Sequence, residues 1–66
     1  MSTAEKFKTQ FDNAQSFTAR ARLFCQMEEE AELVTEKFVT VDAIFFDDSK
    51  LTLHFYTDEI NATVDN

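Results

Sequence analysis

The chain contains neither glycine nor proline in 66 residues, and this absence limits its backbone geometry more than any residue it does contain. At average usage of about 7% and 5%, a chain of this length would carry several of each. Glycine supplies positive φ cheaply and lets a backbone approach a phosphate closely. A P-loop, a dinucleotide fingerprint and an EF-hand loop all need it, so all three are excluded as written. Turns must be built from Asp, Asn and Ser, which bond to their own backbone.

A chain this short forms one domain and buries only about 60% of the surface its unfolded form exposes. Small scaffolds usually need disulfides, a metal or a partner chain. Cys25 is the single cysteine, so no internal disulfide can form, which fits a reducing compartment. Hydrophobic residues make up 44% of the chain, enough for a folded core. Eight phenylalanines and Tyr56 bring more aromatic surface than one helix and a small sheet can cover. The surplus points to self-association or a partner surface.

The first segment reads as a helix. Ser2-Thr3-Ala4-Glu5 matches a capping box. Phe7, Phe11, Ala14, Phe17, Ala21, Phe24 and Cys25 then fall on one helical face. The expected helix covers about residues 3–36. Two versions stand open: one continuous helix, or a helix broken near 28–32, where consecutive glutamates repel one another. From Lys37 the character changes. Residues 38–46 are β-branched and aromatic, and residues 51–57 alternate with period two, which predicts two strands. The polar Asp47-Asp48-Ser49-Lys50 between them predicts an antiparallel β-hairpin with a type I turn, given the lack of glycine. The tail 58–66 fits a third strand, a helical turn or a frayed end. The fold class is therefore α+β, a long amphipathic helix followed by a hairpin. A two-stranded ribbon needs further support, and a homodimer that continues the sheet or packs helix on helix is the simplest source.

The net charge is −7, unevenly spread. Residues 1–25 net +2, and residues 26–66 net −9 with eleven acids against Lys37 and Lys50. Such a field repels nucleic acid and attracts basic surfaces, so no direct nucleic-acid ligand is expected. The plainer reading is that the acids keep a Phe-rich protein soluble. No stretch approaches the roughly 20 apolar residues of a membrane span, and the N-terminus lacks a signal-peptide core. A cytoplasmic protein is expected, in the host cytoplasm if phage-encoded.

Catalytic parts are scarce. Cys25 extends the apolar helical face and reads as a buried small hydrophobe. His54 alternates with Leu53 and Phe55 and so points to the other face of its strand. Zinc usually takes three or four Cys/His ligands, and the chain has two. No enzyme, metal, cofactor or small-molecule ligand is expected. The constellation of interest is non-catalytic: Glu28, Glu29, Glu30, Glu32, Asp47, Asp48, Asp58 and Glu59 share one half of the chain with Phe46 and Tyr56. Acids would steer and contact a basic protein partner, and the two aromatics would anchor it. Many small phage-encoded inhibitors share this size and charge, and proteins that mimic nucleic-acid phosphates act this way. That likeness is one of composition, and no motif carries it. The expected function is a stoichiometric binding protein or inhibitor of a basic protein. The alternative is an assembly subunit of a homo-oligomer whose acids only solubilise.

Overall fold

A computed structural model describes residues 1–37 and 39–65. Two helices, α1 (Thr3–Asn13) and α2 (Phe17–Glu30), precede four strands: β1 (Ala31–Lys37), β2 (Thr40–Phe45), β3 (Lys50–Phe55) and β4 (Ile60–Asp65). The strands form one antiparallel meander in the order β1-β2-β3-β4. The α+β class holds, with both helices ahead of the sheet.

The single long helix is replaced by two. The expected break near 28–32 lies at 14–16, where Ser16 caps α2 by accepting the Ala19 N–H at 3.1 Å. The apolar period runs unbroken through this point, which is why periodicity alone bridges it. The Arg20 guanidinium fastens the break. Its Nε donates to the Ala14 carbonyl at 2.8 Å, and its Nη1 to the Ile60 carbonyl at 2.6 Å. Helix α2 ends at Glu30, and residues 31–36, expected to be helical, belong to an edge strand. Ala31 is already extended at φ −145°, ψ 154°. Intrinsic helix preference here is weak against a ladder of partners running from Ala31–Phe45 to Lys37–Thr40.

The expected hairpin is present as β2 and β3, shifted to 40–45 and 50–55. Phe38, the expected first residue of its leading strand, lies outside the described residues, as does Asn66 of the tail. Phe46 belongs to the turn and not to a strand. Asp48 donates its N–H to the Phe45 carbonyl and takes φ +66°, and Phe45 N–H reaches back to Ser49. This is the pattern of a type I turn with a following bulge, in which an aspartate fills the left-handed position usually given to glycine. The tail resolves into β4, the strand among the three alternatives.

Both helices cover one sheet face. Ala4, Phe7, Phe11 and Met27 meet Ala43, Phe45, Leu51, Leu53 and Ile60 in a single core. Phe7 stacks on Phe45 at 5.2 Å, and Phe24 meets Phe55 edge-on at 5.1 Å. Phe17 is 48% exposed, and Cys25 faces solvent; neither joins the core as expected. Splitting the helix at 14–16 changes the phase of everything after it, and Met27 takes the buried position on α2. The other sheet face carries Asp42, Thr52, His54 and Thr63, with Thr52 Oγ1 donating to Asp42 at 2.9 Å. Asp42 is nonetheless buried among its strand neighbours.

Candidate functional site

The expected contact residues divide between the two ends of the sheet. At one end, α2 runs directly into β1 beside the β2–β3 turn. Glu29, Glu30, Glu32 and Asp48 line a cleft of about 500 Å³ together with Ala31, Ile44 and Phe45. Phe46 stands at this cleft and is 94% exposed. Glu28 is exposed on the same helical turn without lining the cleft.

The local sequence explains this geometry. Phe45 and Phe46 are adjacent, but Phe45 completes a strand and turns inward onto Phe7, while Phe46 opens the turn and is carried outward. Glu28, Glu29 and Glu30 occupy the last turn of α2, and no basic residue accompanies them there. Negative charge at a helix C-terminus opposes the backbone dipole, so this arrangement disfavours the helix locally. Glu32 then faces away from the core, opposite Ile44 on β2.

Asp47 has an internal task. Its Oδ2 accepts the Thr3 N–H at 2.8 Å, and its Oδ1 accepts both the Ser49 N–H and the Ser49 hydroxyl. The Ser49 Oγ in turn accepts the Ala4 N–H at 3.1 Å, and Ser2 accepts the Glu5 N–H within the expected capping box. The first three backbone donors of α1 are thereby satisfied, two of them by the turn. The Ser49 hydroxyl, followed by the Thr3 N–H, holds the Asp47 carboxyl well below the usual carboxylate range. Glu5 is lowered too, first by the Ser2 backbone N–H and then by the Ser2 hydroxyl.

Tyr56, Asp58 and Glu59 lie at the opposite end, a strand length of about 20 Å away. They border a second cleft of about 650 Å³ with Val39 and Phe55. Tyr56 is 56% exposed. The ten expected residues therefore form two groups: Glu29, Glu30, Glu32, Asp48 and Phe46 share one cleft, and Tyr56, Asp58 and Glu59 share the other. The apolar lining residues Ala31, Ile44 and Phe45 meet only through the register between β1 and β2, which no local sequence signal gives. Arg20 is a further residue that no local signal marks. Its position beside a helical stripe gave no sign that it would reach a strand 40 residues later.

Among the described residues, no group of three or more His, Cys, Asp or Glu is placed to hold a metal ion, and no helix is long and apolar enough to cross a membrane. No protein-family model, curated protein or solved structure matches the chain.

Proposed function

We propose that the chain is a stoichiometric binding protein whose acidic cleft takes a basic protein surface, in the manner of an inhibitor that occupies a site otherwise open to nucleic acid. One observation carries the reading: Phe46, almost wholly exposed, stands at a cleft that Glu29, Glu30, Glu32 and Asp48 also line. A single exposed apolar residue is ordinary on a protein surface, so the weight lies on the placement of Phe46 beside four carboxylates at one cleft. Aromatic anchors dominate interface energetics, and the surrounding carboxylates would speed encounter with a cationic surface. Asp47 supports the cleft by fixing the turn that presents Phe46 and Asp48. Tyr56, Asp58 and Glu59 are too distant to act in the same contact and would serve only a partner that spans the sheet.

Titration of isotope-labelled protein with an Arg/Lys-rich peptide carrying one bulky apolar residue tests the reading. Amide shifts concentrated at 29–32 and 44–48, lost in high salt and in Phe46→Ala, are expected, with no such shifts on adding duplex DNA. Shifts spread evenly over all acidic surfaces, or an undiminished response in Phe46→Ala, would reject it.

A second reading, a homo-oligomeric assembly subunit with purely solubilising acids, draws on a different feature, the regular outer edge of β4.

A further inference from the structure

The sheet has two outer strands, β1 and β4, and they are protected to very different degrees. Strand edges present rows of unpaired backbone groups, and folded proteins blunt them with charges, bulges or covering elements. Strand β1 carries the exposed Glu32 and Lys37 and has an irregularity between Thr35 and Lys37. Strand β4 runs Ile60-Asn61-Ala62-Thr63-Val64-Asp65, with its one charge at the last residue, where Asp65 is ion-paired with Lys50, and with no irregularity in its pairing.

The ladder fixes which β4 groups point outward. Tyr56 N–H bonds to the Glu59 carbonyl, and pairs alternate from there, so Phe55–Ile60 is a non-hydrogen-bonded pair. The backbones of Ile60, Ala62 and Val64 therefore turn away from β3. Arg20 already occupies the Ile60 carbonyl. Among the described residues, nothing bonds the outward groups of Ala62 and Val64. Their side chains are only partly buried against the core.

We propose that this edge pairs with the β4 edge of a second copy of the chain, antiparallel and centred on Thr63. The register follows from three constraints. Core faces must stay on one side, so a one-residue slip is excluded. A centre at Ala62 would demand the Ile60 carbonyl, which Arg20 holds. A centre at Thr63 pairs Ala62 with Val64 of the second copy, reciprocally, which uses the two open residues. It also sets Thr63 against its own counterpart on the outer face, a favourable close pair, and Asn61 against Asp65. Self-pairing of β1 would instead have to accommodate the exposed Glu32 and the irregularity between Thr35 and Lys37, which disfavours that edge. The contact is small, so association is weak and depends on concentration.

Sedimentation of the full chain from micromolar to near-millimolar concentration tests this. A monomer–dimer equilibrium is expected, with exchange of the Ala62 and Val64 amides slowing as concentration rises. Thr63 is exposed, so Thr63→Lys and Thr63→Glu should each keep the monomer fold. Each should weaken self-association roughly tenfold or more, through two like charges set face to face. Mixing the two variants should restore it. Glu32→Lys on the opposite edge should leave it unchanged. A chain that stays monomeric throughout overturns the proposal, as does a dimer indifferent to both Thr63 variants. Protection of Ala62 and Val64 that appears only when an unrelated extended peptide is added would give the edge to a foreign strand and overturn it too.

Discussion

The Asp47 carboxylate accepts a 2.8 Å hydrogen bond from the Thr3 backbone N–H, so a turn between two strands closes the first turn of a helix 44 residues earlier in the chain. Charge and position agree, since a carboxylate at a helix N-terminus meets both the open donors and the positive end of the dipole. Asp47→Ala should lower the urea midpoint more than Asp48→Ala, because Asp47 also holds Ser49 in place to cap Ala4. Equal effects of the two substitutions would show that the cap contributes nothing beyond turn propensity.

The same contact carries a pH dependence. In the folded chain the Asp47 carboxyl is held below its ordinary value, and in the unfolded chain it titrates near pH 4. The folded state therefore binds fewer protons in this range, and stability falls as pH falls. The contribution is fully present above the unfolded value and drains away as pH drops toward the depressed folded one. Glu5 acts in the same direction. Protonating the many other acids relieves repulsion and works against this trend. The stability difference between the wild type and Asp47→Asn is thus the cleaner readout. It should be constant near neutrality and shrink below about pH 4. Chemical denaturation at a series of pH values measures it, and a difference that stays flat down to pH 2 would contradict the assignment.

Phe11 and Phe46 should respond in opposite ways. Phe11 is buried where α1 meets the sheet, and Phe11→Ala removes a ring from the core at a cost of about 3–5 kcal/mol. That is comparable to the whole stability expected of so small a domain, at roughly 0.05–0.15 kcal/mol per residue. The variant should be largely unfolded by circular dichroism. Phe46→Ala should shift stability by less than about 0.5 kcal/mol, since the ring touches little.

The readable parts of this fold were those set by short-range chemistry. Ser2 and Glu5 give the start of α1, Phe7 and Phe11 mark its buried face, and Asp47 to Ser49 give the turn. The unreadable parts depend on distant partners. Ser16 is a good cap, but an apolar period that runs through it hides the break. Ala31 to Leu33 favour a helix in isolation and become a strand because β2 offers a ladder. The site divides in the same way. Phe46 is identifiable as a surplus aromatic, whereas its separation from Tyr56 by a full strand length follows only from the sheet. Arg20 was illegible for the same reason, as its acceptors lie in a linker and in the last strand.

The last turn of α2 should show a conflict between stability and binding. Glu28, Glu29 and Glu30 place negative charge at the negative end of the helix dipole. Replacing Glu29 or Glu30 with Lys should stabilise the fold by about 0.3–1 kcal/mol at low ionic strength, and less in high salt. The same substitutions line the cleft around Phe46 with the wrong sign and should slow association with a basic peptide. Thermal melts and association rates measured on the same variants separate the two effects. A destabilised Glu30→Lys would show that the glutamates are held by contacts that outweigh the dipole.

Arg20 joins three parts of the chain with one side chain, so its removal should be felt beyond its own helix. Its Nε and Nη1 serve the Ala14 and Ile60 carbonyls in partly buried surroundings, and Nη1 also approaches Asn61 Oδ1 at 3.4 Å. Arg20→Met keeps much of the aliphatic stem and leaves both carbonyls without their donor, at a cost of about 1–3 kcal/mol. Arg20→Lys should recover only part of this, because a single ammonium lacks the fork that reaches both carbonyls. Amide exchange locates the loss. The amides of Asn61 and Thr63, which face β3 in the ladder, should exchange faster in Arg20→Met, while those of β2 change only with global stability. Uniform acceleration across all four strands would mean that Arg20 supports the core as a whole and does not specifically hold β4 to the helices.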